Sequence, residues 1–247
     1  MKAFLLAAGL GTRLRPLTDT VPKCLVPING RPLLSYWMTL LERHGFDDVV
    51  INVHHLPDAV RAFADGVRHP RLILFNEPQL LGSAGTVRAN RDWVADGEPF
   101  LIAYADDLTN ADLGALMAVH ARRRPLLTMG LFRTPEPTRC GIAELDGNDE
   151  DAAIVTFEEK PAAPKSNLAN AGIYVTDARI IDRIPEGTAD FGHDVLPGLV
   201  GEMRGHLLHG QLIDVGTWAS YERAQTEAPG LGLGLDASRP AGQRGQR

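Results

Sequence analysis

Short apolar runs alternate with helical periodicities through the first half of the chain. Residues 3–7, 48–53, 72–75 and 100–104 are rich in Val, Ile, Leu and Phe and hold few polar positions. Runs of that length and uniformity predict strands buried on both faces. Between the first two, Leu34, Trp37, Met38 and Leu41 recur at helical spacing. They predict a helix from Pro32, a residue suited to the first helical position, to about His44, where Gly45 closes it. A second helix is predicted over 111–122, with Asn110 as its cap and Arg122 to Arg124 facing the negative end of its dipole. Strands regularly separated by helices build β-α-β units, so the pattern predicts an α/β fold around a mixed, mainly parallel sheet.

Beyond Pro125 the pattern changes. Strand-like runs at 126–132, 142–145, 154–157 and 173–175 are separated by turn-rich stretches such as Asp146-Gly147-Asn148-Asp149, which reads as more antiparallel. No Ser/Gly/Pro linker divides the halves. One domain is therefore expected over 1–226, with a first half 1–124 and a second half 125–226 folded onto the same sheet. Residues 227–247 mix Gly, Pro, Ala and Arg without an apolar period and are expected to be disordered.

The 247 residues, 44% hydrophobic and 23% charged, exclude a collagenous, coiled-coil or disordered chain. Lys and Arg number 25 against 31 Asp and Glu, a net charge of −6, which argues against a surface built to coat nucleic acid or an anionic membrane. Any basic function must be local. Cys24 and Cys140 are too few and too far apart for a disulfide framework or a metal knuckle, which fits a reducing cytoplasm. The apolar run 3–8 is cut by Gly9 and Arg13 too soon for a secretory segment, and no stretch approaches membrane-spanning length.

The segment after the first strand is the most informative. Gly9 and Gly11 follow it directly, and Thr12, Arg13 and Arg15 come next. Glycines let backbone amides approach an anion closely, and the threonine and arginines add donors and positive charge. The dinucleotide fingerprint fails because Leu14 stands where a third glycine belongs, and the Walker pattern fails because no Gly-Lys-Ser/Thr follows. Taken alone, such a pair of glycines also reads as an ordinary turn. Lys23, set between Pro22 and Pro27, is one of four lysines in a chain that otherwise uses arginine. A compact ammonium on a stiffened backbone suits a phosphate contact, although a solvated loop lysine would look the same.

Together these pieces resemble the sugar-1-phosphate nucleotidyltransferases, the sugar-nucleotide pyrophosphorylase family, which join a nucleoside triphosphate to a sugar 1-phosphate. The resemblance runs through most of the chain. It rests on Gly9-Leu10-Gly11-Thr12-Arg13-Leu14 with Pro22-Lys23 and on later islands in order: Leu81-Gly82-Ser83-Ala84-Gly85-Thr86, Ala105-Asp106-Asp107, Glu159-Lys160-Pro161 with Asn170-Ala171-Gly172-Ile173-Tyr174, and Asp214-Val215-Gly216-Thr217. The fold it implies is a single Rossmann-like α/β/α nucleotidyltransferase domain with a small sugar-binding β subregion.

Residue by residue, the resemblance implies that Ala7, Gly9, Gly11, Thr12, Arg13, Lys23, Gly82, Ser83 and Gly85 bind the nucleotide. Arg13 would hold the departing pyrophosphate and Lys23 the phosphates in flight, while Gly82 and Gly85 would admit the base, with Ser83 as a hydrogen-bond partner. Asp106 follows the strand 100–104, at the carboxyl edge where open α/β sheets bind ligands. It and Asp214 are expected to share one Mg2+, whose preference for hard oxygen donors fits a phosphate-bridging role. Arg13, Lys23, Asp106 and Asp214 are thus the expected catalytic set. Asp107 is expected to be a cap or a solvated turn residue. Gly141, Glu159, Lys160, Asn170 and Gly172 are expected to bind the sugar phosphate, with Cys140 standing where relatives often have an aromatic residue. His54, His55, Trp37 and Met38 are expected to be structural.

The resemblance is nearest to mannose-1-phosphate and heptose-1-phosphate guanylyltransferases, through the loop 81–85, the Asn170 island and Asp194-Val195-Leu196-Pro197. The expected reaction transfers a nucleoside monophosphate from a triphosphate, GTP first with UTP or dTTP behind it, to a sugar 1-phosphate. A cytoplasmic monomer or homodimer is expected, without nucleic-acid or membrane partners. A metal-dependent glycosyltransferase would also place Asp106-Asp107 after a strand, but has no need for Arg13 and Lys23 around a leaving pyrophosphate. A non-catalytic sugar-nucleotide sensor would be expected to lack one of the two carboxylates.

Overall fold

Residues 1–147 and 149–233 are described by the computed structural model. In chain order its elements are β1 (Lys2–Leu6), β2 (Pro27–Ile28), β3 (Arg31–Pro32), α1 (Leu33–Arg43), β4 (Asp48–Val53), α2 (Pro57–Asp65), β5 (Arg71–Asn76), α3 (Gly82–Ala89), β6 (Phe100–Tyr104), β7 (Asp107–Thr109), α4 (Leu113–Arg123), β8 (Leu127–Arg133), β9 (Gly141–Leu145), β10 (Ile154–Glu159), β11 (Leu168–Thr176), β12 (Met203–Leu207), β13 (Leu212–Asp214) and α5 (Trp218–Glu227).

A nine-stranded sheet runs in the order β10-β9-β11-β6-β1-β4-β5, with β8 pairing both β11 and β12. β1 lies between β4 and β6, parallel to both, and β5 is parallel to β4. At β6 the direction reverses: β11 pairs with it antiparallel, and β8, β9 and β10 continue mostly antiparallel. The second half of the chain therefore extends the sheet of the first.

The period-two alternation of a strand sorts β1 between two layers. Ala3 and Leu5 pack with the apolar faces of α1, α2, α4 and α5, while Phe4 and Leu6 pack with α3 and the segment around Ile180, Phe191 and Leu196. Trp37 and Met38 are buried core residues, as their spacing predicts. The Trp37 indole also donates to the Asp107 carbonyl at 2.8 Å, tying α1 to the turn after β6.

Two local expectations are corrected. The cap of α4 is Asp112, whose carboxylate accepts from the Ala115 amide at 2.9 Å. Asn110 is instead spent on the backbone of Gln211 and Leu231. At the other end of the domain, α5 runs through Glu227 into a 3-10 turn, Ala228–Leu231, with Leu231 and Leu233 buried. Two leucines among the glycines are enough to anchor 227–233, and the rest of the expected disordered tail, 234–247, lies outside the described residues. No helix among the described residues is long and apolar enough to cross a membrane.

Candidate active site

The parallel strands β1, β4 and β6 all end at one edge of the sheet. Leu6 is in register with Asn52 and Tyr104, and the Ala105 amide donates to the Leu6 carbonyl at 3.0 Å. The loops that begin at Ala7 and Ala105 thus leave side by side. The first folds back through short 3-10 turns over Thr12–Leu14, Leu17–Asp19 and Lys23–Leu25. Gly11 makes this return possible: its φ is +64°, and a Cβ there would lie 2.8 Å from Thr18 Cγ2 and 3.2 Å from Lys23 Cβ. Lys23 is led beneath the loop to the end of β6, where it is 8% exposed. Its ammonium pairs with Asp106 and stands 3.6 Å from Asp214.

Asp214 arrives from the far end of the domain. β13 pairs antiparallel with β7, placing Asp214 opposite Asp107, and the Val215 amide donates to the Asp106 carbonyl at 2.9 Å. A Cβ at Gly216 would lie 2.7 Å from an Arg13 guanidinium nitrogen and 2.8 Å from an Asp214 carboxylate oxygen. That glycine lets Arg13 settle beside Asp214. The Trp218 indole donates to the Arg15 carbonyl at 3.1 Å, fastening the start of α5 to the same loop.

The charges are strongly coupled. Burial pulls the Lys23 pKa down, but Asp106 and then Asp214 outweigh it and hold the ammonium above its ordinary value. Desolvation in the cleft and the charge of Asp106 raise the Asp214 carboxyl. Asp107 is neither a cap nor a solvated turn residue. It is 7% exposed, and burial followed by the charges of Asp106 and Asp214 pushes its carboxyl well above the usual range. Asp106 and Asp214 bring carboxylate oxygens together beside Lys23 and Arg13, and hard oxygen donors of this kind suit a divalent cation. Among the described residues no group of three or more His, Cys, Asp or Glu side chains is arranged to hold a metal. Two carboxylates are a donor set that a magnesium ion would have to complete with oxygens from elsewhere, such as phosphate or water.

Two cavities adjoin this cluster. The first, of about 320 Å³, is lined by Ala7, Gly9, Lys23, Gly82 and Ser83 among the expected nucleotide residues, together with Asn52 and Glu77. The second, of about 350 Å³, is lined by all five expected sugar-phosphate residues, Gly141, Glu159, Lys160, Asn170 and Gly172, and by Asp214, Cys140 and His193. Tyr104, Asp106 and Asp190 line both, so Asp106 stands on the partition. Thr12 and Arg13 are exposed on the loop outside the two linings, and Gly11 is packed on Thr18 and Lys23.

The glycines of α3 also admit a neighbour from the chain itself. Gly82 has φ +76°, and a Cβ there would lie 2.3 Å from the Ala189 carbonyl oxygen; at Gly85 it would lie 2.9 Å from that of Gly187. The Ala84 and Gly85 amides donate to the Ala189 carbonyl at 3.0 and 3.1 Å. What approaches closely here is the chain at 187–190, and Gly85 lies behind the cavity wall. The Ser83 hydroxyl donates to Asp190 at 2.8 Å and accepts from the Phe191 amide at 2.8 Å, so its donor is already spent.

Sequence reasoning missed the floor of the first cavity. The Asn52 side chain accepts from the Ala7 amide at 2.6 Å and donates to Glu77 at 2.9 Å and to the Thr86 hydroxyl at 3.0 Å. Glu77, 2% exposed, also accepts from Thr86 and from the Leu81 amide at 3.1 Å. The one available signal was a lone asparagine between Ile51 and Val53 in an otherwise apolar strand. His54 and His55 hold the backbone of Glu77 and Thr18, at 2.7 and 2.8 Å.

In the second cavity, Gly172 has φ +66°, and a Cβ there would strike the Tyr104 ring at 2.5 Å. The pairing of β11 with β8 shifts register between Asn170 and Tyr174, bending the strand around this point. Asn170 accepts from the Gly172 amide at 2.9 Å and donates to the Tyr174 hydroxyl at 2.8 Å. Cβ atoms at Gly141 and Gly192 would crowd Glu159 Oε2 to 2.5 and 2.9 Å, and Lys160 Nζ lies 3.6 Å from the same carboxylate.

A protein-family model described as nucleotidyl transferase matches residues 2–229. The chain is 34% identical over 217 residues to a UTP–glucose-1-phosphate uridylyltransferase of Synechocystis sp., covering 81% of this chain and 55% of the relative. It is 33% identical over 229 residues to a mannose-1-phosphate guanyltransferase of Schizosaccharomyces pombe, covering 90% and 62%. The chain thus spans less than two thirds of the length of these curated relatives. Among solved structures, a UDP-glucose pyrophosphorylase from Acinetobacter baumannii superposes with a TM-score of 0.83 at 22% identity, covering 94% of this chain and 95% of that one. At that identity the likeness shows a shared fold.

Proposed function

The chain belongs to the nucleotidyl transferase family, and from that premise we propose that it transfers a nucleoside monophosphate from a nucleoside triphosphate to a sugar 1-phosphate. The observation that carries this reading is the position of Lys23, buried between Asp106 and Asp214 where two cavities meet. The triphosphate occupies the first cavity and the sugar phosphate the second. A phosphate oxygen of the sugar 1-phosphate attacks the α-phosphorus, and the bond to the β-phosphate breaks in line as pyrophosphate leaves. The nucleophile is the substrate's own oxyanion, so the protein's task is to align two anions that repel and to neutralise the charge that moves.

Asp106 and Asp214 would hold magnesium, which, when bound, neutralises charge on phosphate oxygens. Lys23 supplies a fixed ammonium at the partition. Arg13, exposed on the loop next to Asp214, is placed to follow the departing pyrophosphate. Lys160 neutralises the sugar phosphate and Glu159 accepts from sugar hydroxyls.

GTP is the favoured triphosphate. Glu77 at the floor of the first cavity is an acceptor-only group. It accepts three hydrogen bonds from Asn52, Thr86 and Leu81, which leaves roughly one of its four lone-pair sites for a base N–H. Guanine can fill that site with N1–H or its exocyclic amine and uracil or thymine with N3–H, so the site admits each of them and the preference for GTP rests on the relatives. The guanyltransferase relative supports that choice, while the uridylyltransferase relative favours UTP as the second reading. The test is a panel of GTP, UTP, dTTP, ATP and CTP against hexose and heptose 1-phosphates, read by pyrophosphate release. GTP-dependent release with one sugar phosphate is expected, and no release with any pair would overturn the reaction.

A further inference from the structure

A separate concavity lies where β8 and β12 begin. Its volume is about 550 Å³, and Arg123, Arg179, Arg183 and Arg204 line it together with Asp182 and Glu202. None of these residues lines the two cavities of the active site. Four guanidiniums against these two carboxylates and the Asp177 that holds Arg179 leave it net positive on a chain of net charge −6.

The four arginines are not equally committed. Arg179 is held by Asp177 at 2.7 to 3.1 Å and by the Pro125 carbonyl at 3.0 Å. Arg183 pairs with Glu202 at 2.8 Å. Arg123 and Arg204 have no carboxylate partner among the described residues. Arg204 is fixed on β12 opposite Thr128 and Ala153, and its Nε is shielded from solvent with no hydrogen-bond acceptor among the described residues. That nitrogen is as closed to a ligand as to water, so what Arg204 presents to the concavity is its terminal fork, which no described residue meets. The C-terminal turn of α4, which carries Arg123, offsets part of the like-charge repulsion through its dipole but supplies no acceptor to Arg204.

We propose that this concavity binds a phosphate-bearing dianion, with Arg123 and Arg204 as its principal donors and Arg183 beside them. Guanidinium forks converging from a strand, a helix end and a turn suit the tetrahedral set of oxygens on a phosphate better than the flat pair on a carboxylate. The ligand is either free phosphate or a phosphate monoester.

The test is calorimetric titration of the full chain and of Arg204→Gln and Arg123→Gln with inorganic phosphate and, separately, with glycerol 3-phosphate. Arg123 is exposed, so its variant folds even if Arg204→Gln does not. The wild type is expected to show a saturable site that Lys23→Ala retains and that each arginine variant weakens by about tenfold or more. Pyrophosphate release in phosphate-free buffer is expected to be unchanged in both arginine variants. Binding of inorganic phosphate identifies the free anion as ligand, and binding of glycerol 3-phosphate alone identifies the ester. No saturable site beyond the one lost in Lys23→Ala, or undiminished binding in Arg123→Gln, would overturn the proposal, and neither outcome bears on the reaction in the main cleft.

Discussion

Lys23 Nζ stands 3.6 Å from a carboxylate oxygen of Asp214 while bonded to Asp106, so one ammonium joins the loop after β1 to the turn after β6 and to β13, far along the chain. With 8% of its surface exposed, it has little room for another shape. Lys23→Ala is expected to lower the turnover number by roughly 10²- to 10³-fold, the range for loss of one preorganised electrostatic contact. Lys23→Arg is expected to recover only part of it, because a planar fork does not replace a compact charge in a closed site. Steady-state pyrophosphate release measures both; near-normal turnover in Lys23→Ala would remove Lys23 from the mechanism.

Gly141→Ala tests the sugar side alone. The new methyl would sit 2.5 Å from Glu159 Oε2 and 2.7 Å from the Phe157 ring, so the carboxylate has to move. The KM for the sugar 1-phosphate is expected to rise about tenfold or more, in line with the cost of overpacking, with the KM for the triphosphate unchanged. A rise in the triphosphate KM of equal size would mean that the two cavities are not separate binding sites.

The cysteines differ in reactivity for a physical reason. Cys24 is 1% exposed, and burial pushes its thiol up to about 12. Cys140 is half-buried on the wall of the second cavity, its pKa also raised by burial. At pH 8 a thiol reagent is expected to label Cys140 slowly and Cys24 only in denaturant. Under the proposed reaction, the sugar 1-phosphate is expected to slow labelling of Cys140. Rapid labelling of Cys24 in the native protein would contradict the packing of the loop that carries Lys23.

Acid sensitivity should trace to buried histidines. Burial lowers the pKa of His120 against the opposing charge of Asp177, and lowers that of His44 against Asp112. Below the ordinary value of 6.5 each of these two histidines binds more protons in the unfolded chain than in the folded one, so their contribution to stability is full above that pH and is lost as the pH drops through the folded-state values. The urea midpoint is expected to fall between pH 7.5 and pH 5.5, and to fall less in His120→Gln. An equal fall in that variant would acquit His120.

Much of the sheet was legible because buried parallel strands and amphipathic helices carry their own periodicity. Lys23, Asp106 and Asp214 stood out because each sits in a short island with distinctive neighbours. Asp107 was misread because its burial depends on Trp37 of α1 and on the pairing of β7 with β13, neither of which leaves a local mark. The close packing of the chain at 187–190 against Gly82 and Gly85 was not legible, because that segment lies far along the sequence. Asn52 on β4, Glu77 in the loop after β5 and Thr86 on α3 form one network, and no spacing rule links them. β12 was missed because its Arg204, Gly205 and His206 interrupt the apolar run that marks a buried strand.

The most direct measurement is single-turnover pyrophosphate release from the wild type, Asp106→Asn and Asp214→Asn, with magnesium and after chelation. Wild-type release that requires both the triphosphate and the sugar 1-phosphate, vanishes on chelation and falls by about 10²-fold or more in each variant is the expected result. Release that persists after chelation, or that survives in both variants at the wild-type rate, would contradict the joint action of Asp106 and Asp214 around Lys23.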